Sequence, residues 1–158
     1  MKNFQNKAKI VKVSTVIRAL LFAGLVVGAV GIPLVAWQTV ALVKNHAVAK
    51  TSASYLQGGV IGLLVLSFLV NLRLFRFFDR LKQGYLFDAQ TVGHLDAAGK
   101  LWVALWFFEF LFYTIGHGWL QISNAWGCSN LFAGLTLMFV AWLLKEAQEL
   151  QEEQELTV

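Results

Sequence analysis

The sequence predicts an all-α, polytopic membrane protein: four transmembrane helices, with a cytoplasmic amphipathic helical hairpin between the second and third. Three observations predict it. Hydrophobic residues make up 58% of the 158 and charged residues 14%, against roughly 45–50% and about 25% in an ordinary soluble domain. The apolar residues form four long continuous runs and do not alternate with polar ones, which excludes a membrane β-barrel. The basic residues cluster at the ends of those runs, almost all on one side. Hydrophobicity this high excludes a disordered chain, and Cys128, the single cysteine, excludes an intrachain disulfide framework.

A helix crosses the hydrocarbon core with roughly 20 apolar residues at a rise of about 1.5 Å each. The first span covers Ala19 to Val43, a stretch without a charged residue. It is too long for the roughly 7–15-residue apolar region of a signal peptide, so it is expected to be retained. The second span runs from about Tyr55 to Leu72 and stops at Arg73. The third covers Leu101 to about Ile122, interrupted by Glu109 and His117. The fourth covers about Trp126 to Leu144 and is closed by Lys145. All 158 residues are read as a single membrane domain.

Orientation follows from the cations. Lys2, Lys7, Lys9, Lys12 and Arg18 precede the first span; Arg73, Arg76, Arg80, Lys82 and Lys100 lie between the second and third; Lys145 follows the fourth. Only Lys44 and Lys50 lie on the other side. The positive-inside bias then predicts a multi-pass protein of a bacterial cytoplasmic (inner) membrane with both termini in the cytoplasm. The formal net charge of +4 is accounted for by topology, and no groove for direct nucleic-acid binding is expected.

Between the second and third spans, Leu74, Phe77, Phe78 and Leu81 recur at three- and four-residue spacing, with Arg73, Arg76, Arg80 and Lys82 among them. That pattern predicts an amphipathic helix continuing out of the second span. Gly84 is placed to end it, and Asp88 to cap a second helix carrying Val92, Leu95 and Ala98. The hairpin, residues 73–100, has two readings: an interfacial elbow held to anionic lipid, or a surface that also recognises a partner. The tail, residues 145–158, holds Glu146, Glu149, Glu152, Glu153 and Glu155 beside a continuing apolar stripe. An anionic leaflet repels such a helix, which is expected to project from the lipid or to pair with something basic.

The run from Arg73 through Gly84 to Phe87-Asp88, then Val92, Leu95 and Gly99, and the terminal Glu149-Leu-Gln-Glu-Glu-Gln-Glu-Leu-Thr-Val158 resemble an uncharacterised bacterial family of four-span integral membrane proteins. The resemblance covers nearly the whole chain, and the tail is its most specific part. Tyr85-Leu86 departs from the Glu-Pro common in that family's loop. Genes of the family often lie beside one for a small Cro-like helix-turn-helix regulator. The resemblance therefore implies a pathway shared with such a regulator, and it carries over no catalytic residue.

Glu109 is the most informative single residue. It lies eight positions into the third span, which predicts a depth near mid-bilayer, where a carboxylate costs at least about 2.5 kcal/mol. Tyr113 follows one turn on along the same face, and His117 lies two turns on, offset by roughly 80°. Two readings are open: a proton-sensitive switch or ligand contact, and an interhelical hydrogen bond, with Ser67 as a candidate partner. Gly24 and Gly28, and Gly58 and Gly62, give the first two spans smooth faces for close helix packing, within one subunit or between copies. Spacing among His46, His94, His117 and Cys128 gives no metal site. No phosphate-binding loop or nucleophile–base pair is present, so neither enzymatic activity nor a cofactor is expected. The expected function is a regulatory one, with the hairpin and the acidic tail binding a cytoplasmic partner such as a helix-turn-helix regulator. The alternatives are a small transporter or hydrophobic-ligand binder working through Glu109, as a homo-oligomer, and a self-immunity membrane protein.

Overall fold

The computed structural model describes residues 2–45, 50–85, 88–120 and 128–156. Four helices account for nearly all of them: α1 (Lys2–Asn45), α2 (Lys50–Gln83), α3 (Ala89–Leu120) and α4 (Ser129–Leu156). Each is long and apolar enough to cross a membrane. At 1.5 Å per residue the shortest, α4 with 28 residues, is about 42 Å long, which exceeds the roughly 30 Å hydrocarbon core. Every helix therefore has length left over for water or headgroups.

The helices are longer than the apolar runs that predict them, because nothing near the run ends breaks a helix. Lysine is a good helix former, so α1 begins at Lys2 and takes in the basic N-terminal stretch. It also continues through Pro33, a residue that membrane helices tolerate. The first arm of the hairpin is the end of α2, the continuation that its spacing predicts, and the second arm runs unbroken into the third span, with no break at residue 100. Lys100 and Asp96 form an i,i+4 ion pair at 2.7 Å across that point. The fourth helix is described from Ser129, so the predicted start at Trp126 lies outside the described residues.

The turn between α2 and α3 follows its sequence closely. Gly84 has φ 93°, a conformation that costs an L side chain strain. Its N–H donates to Leu81 O at 3.1 Å, and the Tyr85 N–H donates to Arg80 O at 3.2 Å. These two bonds are the Schellman arrangement that satisfies the last carbonyls of a helix. Asp88 stands at the head of α3, where its carbonyl accepts from the Val92 N–H at 3.1 Å. Its side chain is taken by Arg80, which ties the end of α2 to the start of α3.

Among the described residues each helix packs against its sequence neighbours, α1 on α2, α2 on α3 and α3 on α4, all antiparallel. The result is a row in chain order and not a closed bundle. It leaves the outer faces of α1 and α4 bare: Val13, Leu20, Val27 and Trp37 on α1, and Phe132, Phe139 and Trp142 on α4, are exposed apolar side chains. A patch this large is a liability in water but an ordinary lipid-facing surface in a bilayer.

The buried apolar cluster lies toward one end of the row. Phe77 from α2, Val92 and Leu95 from α3 and Ala141 from α4 form it, with Leu74, Phe78, Leu81, Leu137 and Leu144 packed around them. This is the end that carries the arginines of α2 and the glutamates of α4. Burial from water drives helices together only where water is the alternative, which is outside the hydrocarbon layer.

Candidate functional site: the seam between α3 and α4

Helices α3 and α4 approach each other backbone to backbone at Gly99 of α3 and Gly134 of α4. A Cβ on Gly99 would lie 2.9 Å from both Gly134 O and Met138 N, and a Cβ on Gly134 equally close to Gly99 O and Val103 N. Backbone faces backbone there, so neither position has room for a side chain. Ala141, buried on α4, continues the small-residue path along the seam.

Further along, three polar side chains are joined. Asn130 Nδ2 donates to both Glu109 oxygens, each at 2.9 Å, and Trp102 Nε1 donates to Asn130 Oδ1 at 3.1 Å. The partner of Glu109 is thus Asn130 on α4, not Ser67 on α2. The Ser67 carbonyl instead accepts from Asn71 Nδ2 within α2. Glu109 stands level with the first turn of α4, toward the far end of the seam. Tyr113 sets its ring edge-on against Phe112 at 5.4 Å. The side chain of His117 lies outside the described residues.

At the opposite, charged end of the same seam lies a groove of about 450 Å³, open along one side. On α3 it is lined by Ala89, Val92, Gly93 and Asp96. On α4 its floor is Met138, Ala141 and Trp142, and its outer part is Lys145, Gln148, Glu149 and Glu152. Both sets repeat at three and four residues, so each is a single helix face. Along α4 the lining grades from apolar, nearer the glycine crossing, to charged, whereas on α3 Asp96 is nearest the crossing and Ala89 farthest from it. Three carboxylates face one lysine in it; Lys145 reaches Glu149 at 3.5 Å, and Gln148 Nε2 donates to Glu152 at 2.9 Å. Glu146 and Glu153 are exposed, and the side chain of Glu155 lies outside the described residues. Because α4 runs unbroken to Leu156, the acidic tail is a rigid continuation of a membrane-length helix.

The basic residues of the hairpin occupy the other flank of α3. Arg80 holds Asp88 and lies over the Tyr85 ring at 5.9 Å. Arg73, Arg76 and Arg80 all act electrostatically on His94, and Arg76 and Lys82 are exposed. Asp79 is taken by Arg18 of α1 at 3.1 Å. The arginines and the α4 glutamates are therefore two separate surfaces with α3 between them.

Of the four glycines expected to pack, Gly28 and Gly62 do. Their Cβ positions would meet Phe68 at 3.0 Å and Phe108 at 2.5 Å. Gly24 has only ordinary contact with Asn71, and Gly58 has nothing within 4 Å. Gly59 takes the place of Gly58: a Cβ there would overlap the Phe112 ring. Gly59 and Gly62 are three residues apart and share a face on which the stacked Phe108 and Phe112 rings lie. Sequence reasoning missed Gly99, Gly134 and Asn130. Gly134 is the single glycine of α4 and Gly99 is one of four in α3, and their pairing is visible only across the seam. Asn130, a polar residue at the head of an apolar run, was the one available signal. Among the described residues no group of three or more His, Cys, Asp or Glu is placed to hold a metal ion.

The fold and the site define an all-α chain with the make-up of a multi-pass membrane protein, four membrane-length helices in a row, whose polar chemistry is concentrated at one seam. Comparison of the chain with protein-family models, with curated proteins and with solved structures gives no match in any of the three.

Proposed function

We propose that this chain is a non-enzymatic regulatory protein of a bacterial inner membrane, with both termini in the cytoplasm, that binds a cytoplasmic partner. A helix-turn-helix transcription regulator is the partner class proposed. The orientation rests on the positive-inside bias, since the antiparallel row gathers eleven of the thirteen Lys and Arg residues toward one end. The observation that carries the reading is the acidic end of α4, a rigid helix whose glutamates face away from the arginines of α2. Glu149 pairs with Lys145 within the helix, yet glutamates outnumber that lysine and the end keeps a net negative charge for a basic partner. A helix-turn-helix regulator presents basic residues to DNA, and an acidic helix complements that surface.

The experiment is co-purification from detergent of the protein with a small Cro-like helix-turn-helix regulator, the class that the resemblance implies, for the full chain and for a chain lacking residues 146–158. The expected result is recovery with the full chain and loss with the shortened one. Equal recovery removes the acidic helix from the reading, and no recovery with either removes the regulator.

A further inference from the structure

We infer that the groove between α3 and α4 is the docking site for a basic amphipathic helix supplied by a cytoplasmic partner. This deepens the partner-binding reading above and rests on it for the source of the helix. Three observations fix the chemistry of the occupant.

The first is the shape. The α4 face from Met138 to Glu152 is about 21 Å long at 1.5 Å per residue, the length of roughly four helical turns. It is open along one side, so an extended element can lie in it. The second is the gradient of the lining. Trp142, Met138, Ala141 and Val92 offer an apolar floor at one end, and Trp142 is 56% exposed. Glu149 and Glu152 stand at the other end with Lys145 beside them, and Asp96, held by Lys100, adds a carboxylate at the apolar end. An aromatic floor with carboxylates beside it suits an apolar side chain followed by cations, with the tryptophan ring offering its face to a cation as well.

The third is the electrostatics of the helix ends. The C-terminal end of a helix carries partial negative charge and favours cations. Helix α2 obeys this with Arg80 and Lys82 in its last turn. Helix α4 has no basic residue in its last turn and places Glu149, Glu152 and Glu153 near it. The positive end of α3, on the other wall, is already met by Asp88. A cationic occupant relieves both the carboxylates and the uncompensated end of α4, whereas anionic lipid would be repelled.

The test uses the full chain in nanodiscs of phosphatidylcholine, which carry no net charge. The probe is a fluorescein-labelled, amidated 14-residue helix with leucines on one face and lysines on the other; a second probe has glutamates in place of the lysines. Fluorescence anisotropy is expected to show saturable binding of the lysine probe, weakened at least tenfold in the triple variant Asp96→Asn/Glu149→Gln/Glu152→Gln. Binding is also expected to weaken in Trp142→Ala, and the glutamate probe is expected not to bind. Unchanged affinity in the triple variant, or equal binding of the lysine probe to empty nanodiscs, overturns the inference. Binding of the probe without recovery of the regulator in the co-purification leaves the groove and removes the regulator. Recovery of the regulator without probe binding does the reverse.

Discussion

The two outer helices are held to the row by different means. Helix α1 meets α2 through side chains: Gly28 under Phe68, Phe22 beside Phe75 with ring centroids 6.2 Å apart, and one ion pair, Arg18 with Asp79, near the charged end. Helix α4 meets α3 backbone to backbone at Gly134 and Gly99, and is pinned at its start by Glu109, Asn130 and Trp102. Lipid is as apolar as leucine, so apolar side chains alone fix neither register nor rotation; close backbone approach and interhelical hydrogen bonds do. The difference teaches that the α3–α4 seam is the specified part of the molecule. The groove lies on that seam, where its two walls are held in register.

The largest expected effect comes from breaking the specified seam. Gly134→Val sets two γ-carbons and a Cβ against the α3 backbone, which cannot turn aside as a ring can. Overpacking of this kind costs about 1–3 kcal/mol and occasionally more, and the upper end is expected here, read as a fall in the thermal unfolding midpoint in detergent. The same substitution at Gly58, which faces open space, is expected to leave that midpoint nearly unchanged. A comparable fall at both positions would show that the glycine crossing is not what sets the seam.

An intermediate effect is expected from the polar contact. Glu109→Ala and Asn130→Ala should each cost about 0.6–1.7 kcal/mol, the range for interhelical hydrogen bonds in membranes. Because the two residues share one interaction, the double variant should cost little more than either single one. Full additivity would mean that the pair is not coupled. The smallest effect belongs to the loosely held seam. Arg18 and Asp79 are each about one-third exposed, and pairs of that kind contribute roughly 0.2–1 kcal/mol. Arg18→Gln is expected to shift the midpoint less than either change at Glu109 or Asn130.

The four helices were legible because run length in apolar residues is a direct physical requirement of crossing a bilayer. The turn at Gly84 and Asp88 was legible too, since a positive φ and a helix start each restrict the residue types allowed. Helix ends were harder to read: Lys2–Lys12 is polar yet contains nothing that breaks a helix, and the helix that Asp88 starts gives no sign in its residues that it runs on past Lys100 into the third span. The choice between Gly58 and Gly59 depended on which face of α2 turns to Phe108 and Phe112, and adjacent glycines do not reveal it. Gly99 with Gly134, Glu109 with Asn130 and the two walls of the groove are pairings between helices. Each partner taken alone is an ordinary residue. The acidic tail was visible as composition, whereas its place on a groove wall followed only from the register that the glycine crossing imposes.

Everything proposed for the groove depends on its facing the cytoplasm, and the single cysteine makes that directly measurable. Cys128 is exposed at the start of α4, at the end away from Glu149 and Glu152. A membrane-impermeant maleimide applied to right-side-out membrane vesicles is expected to label Cys128. In a chain carrying both Cys128→Ser and Glu153→Cys it is expected to label only after the vesicles are opened. Labelling of that double variant in sealed right-side-out vesicles, with Cys128 protected in the parent, would place the groove on the outside and contradict binding of a cytoplasmic partner.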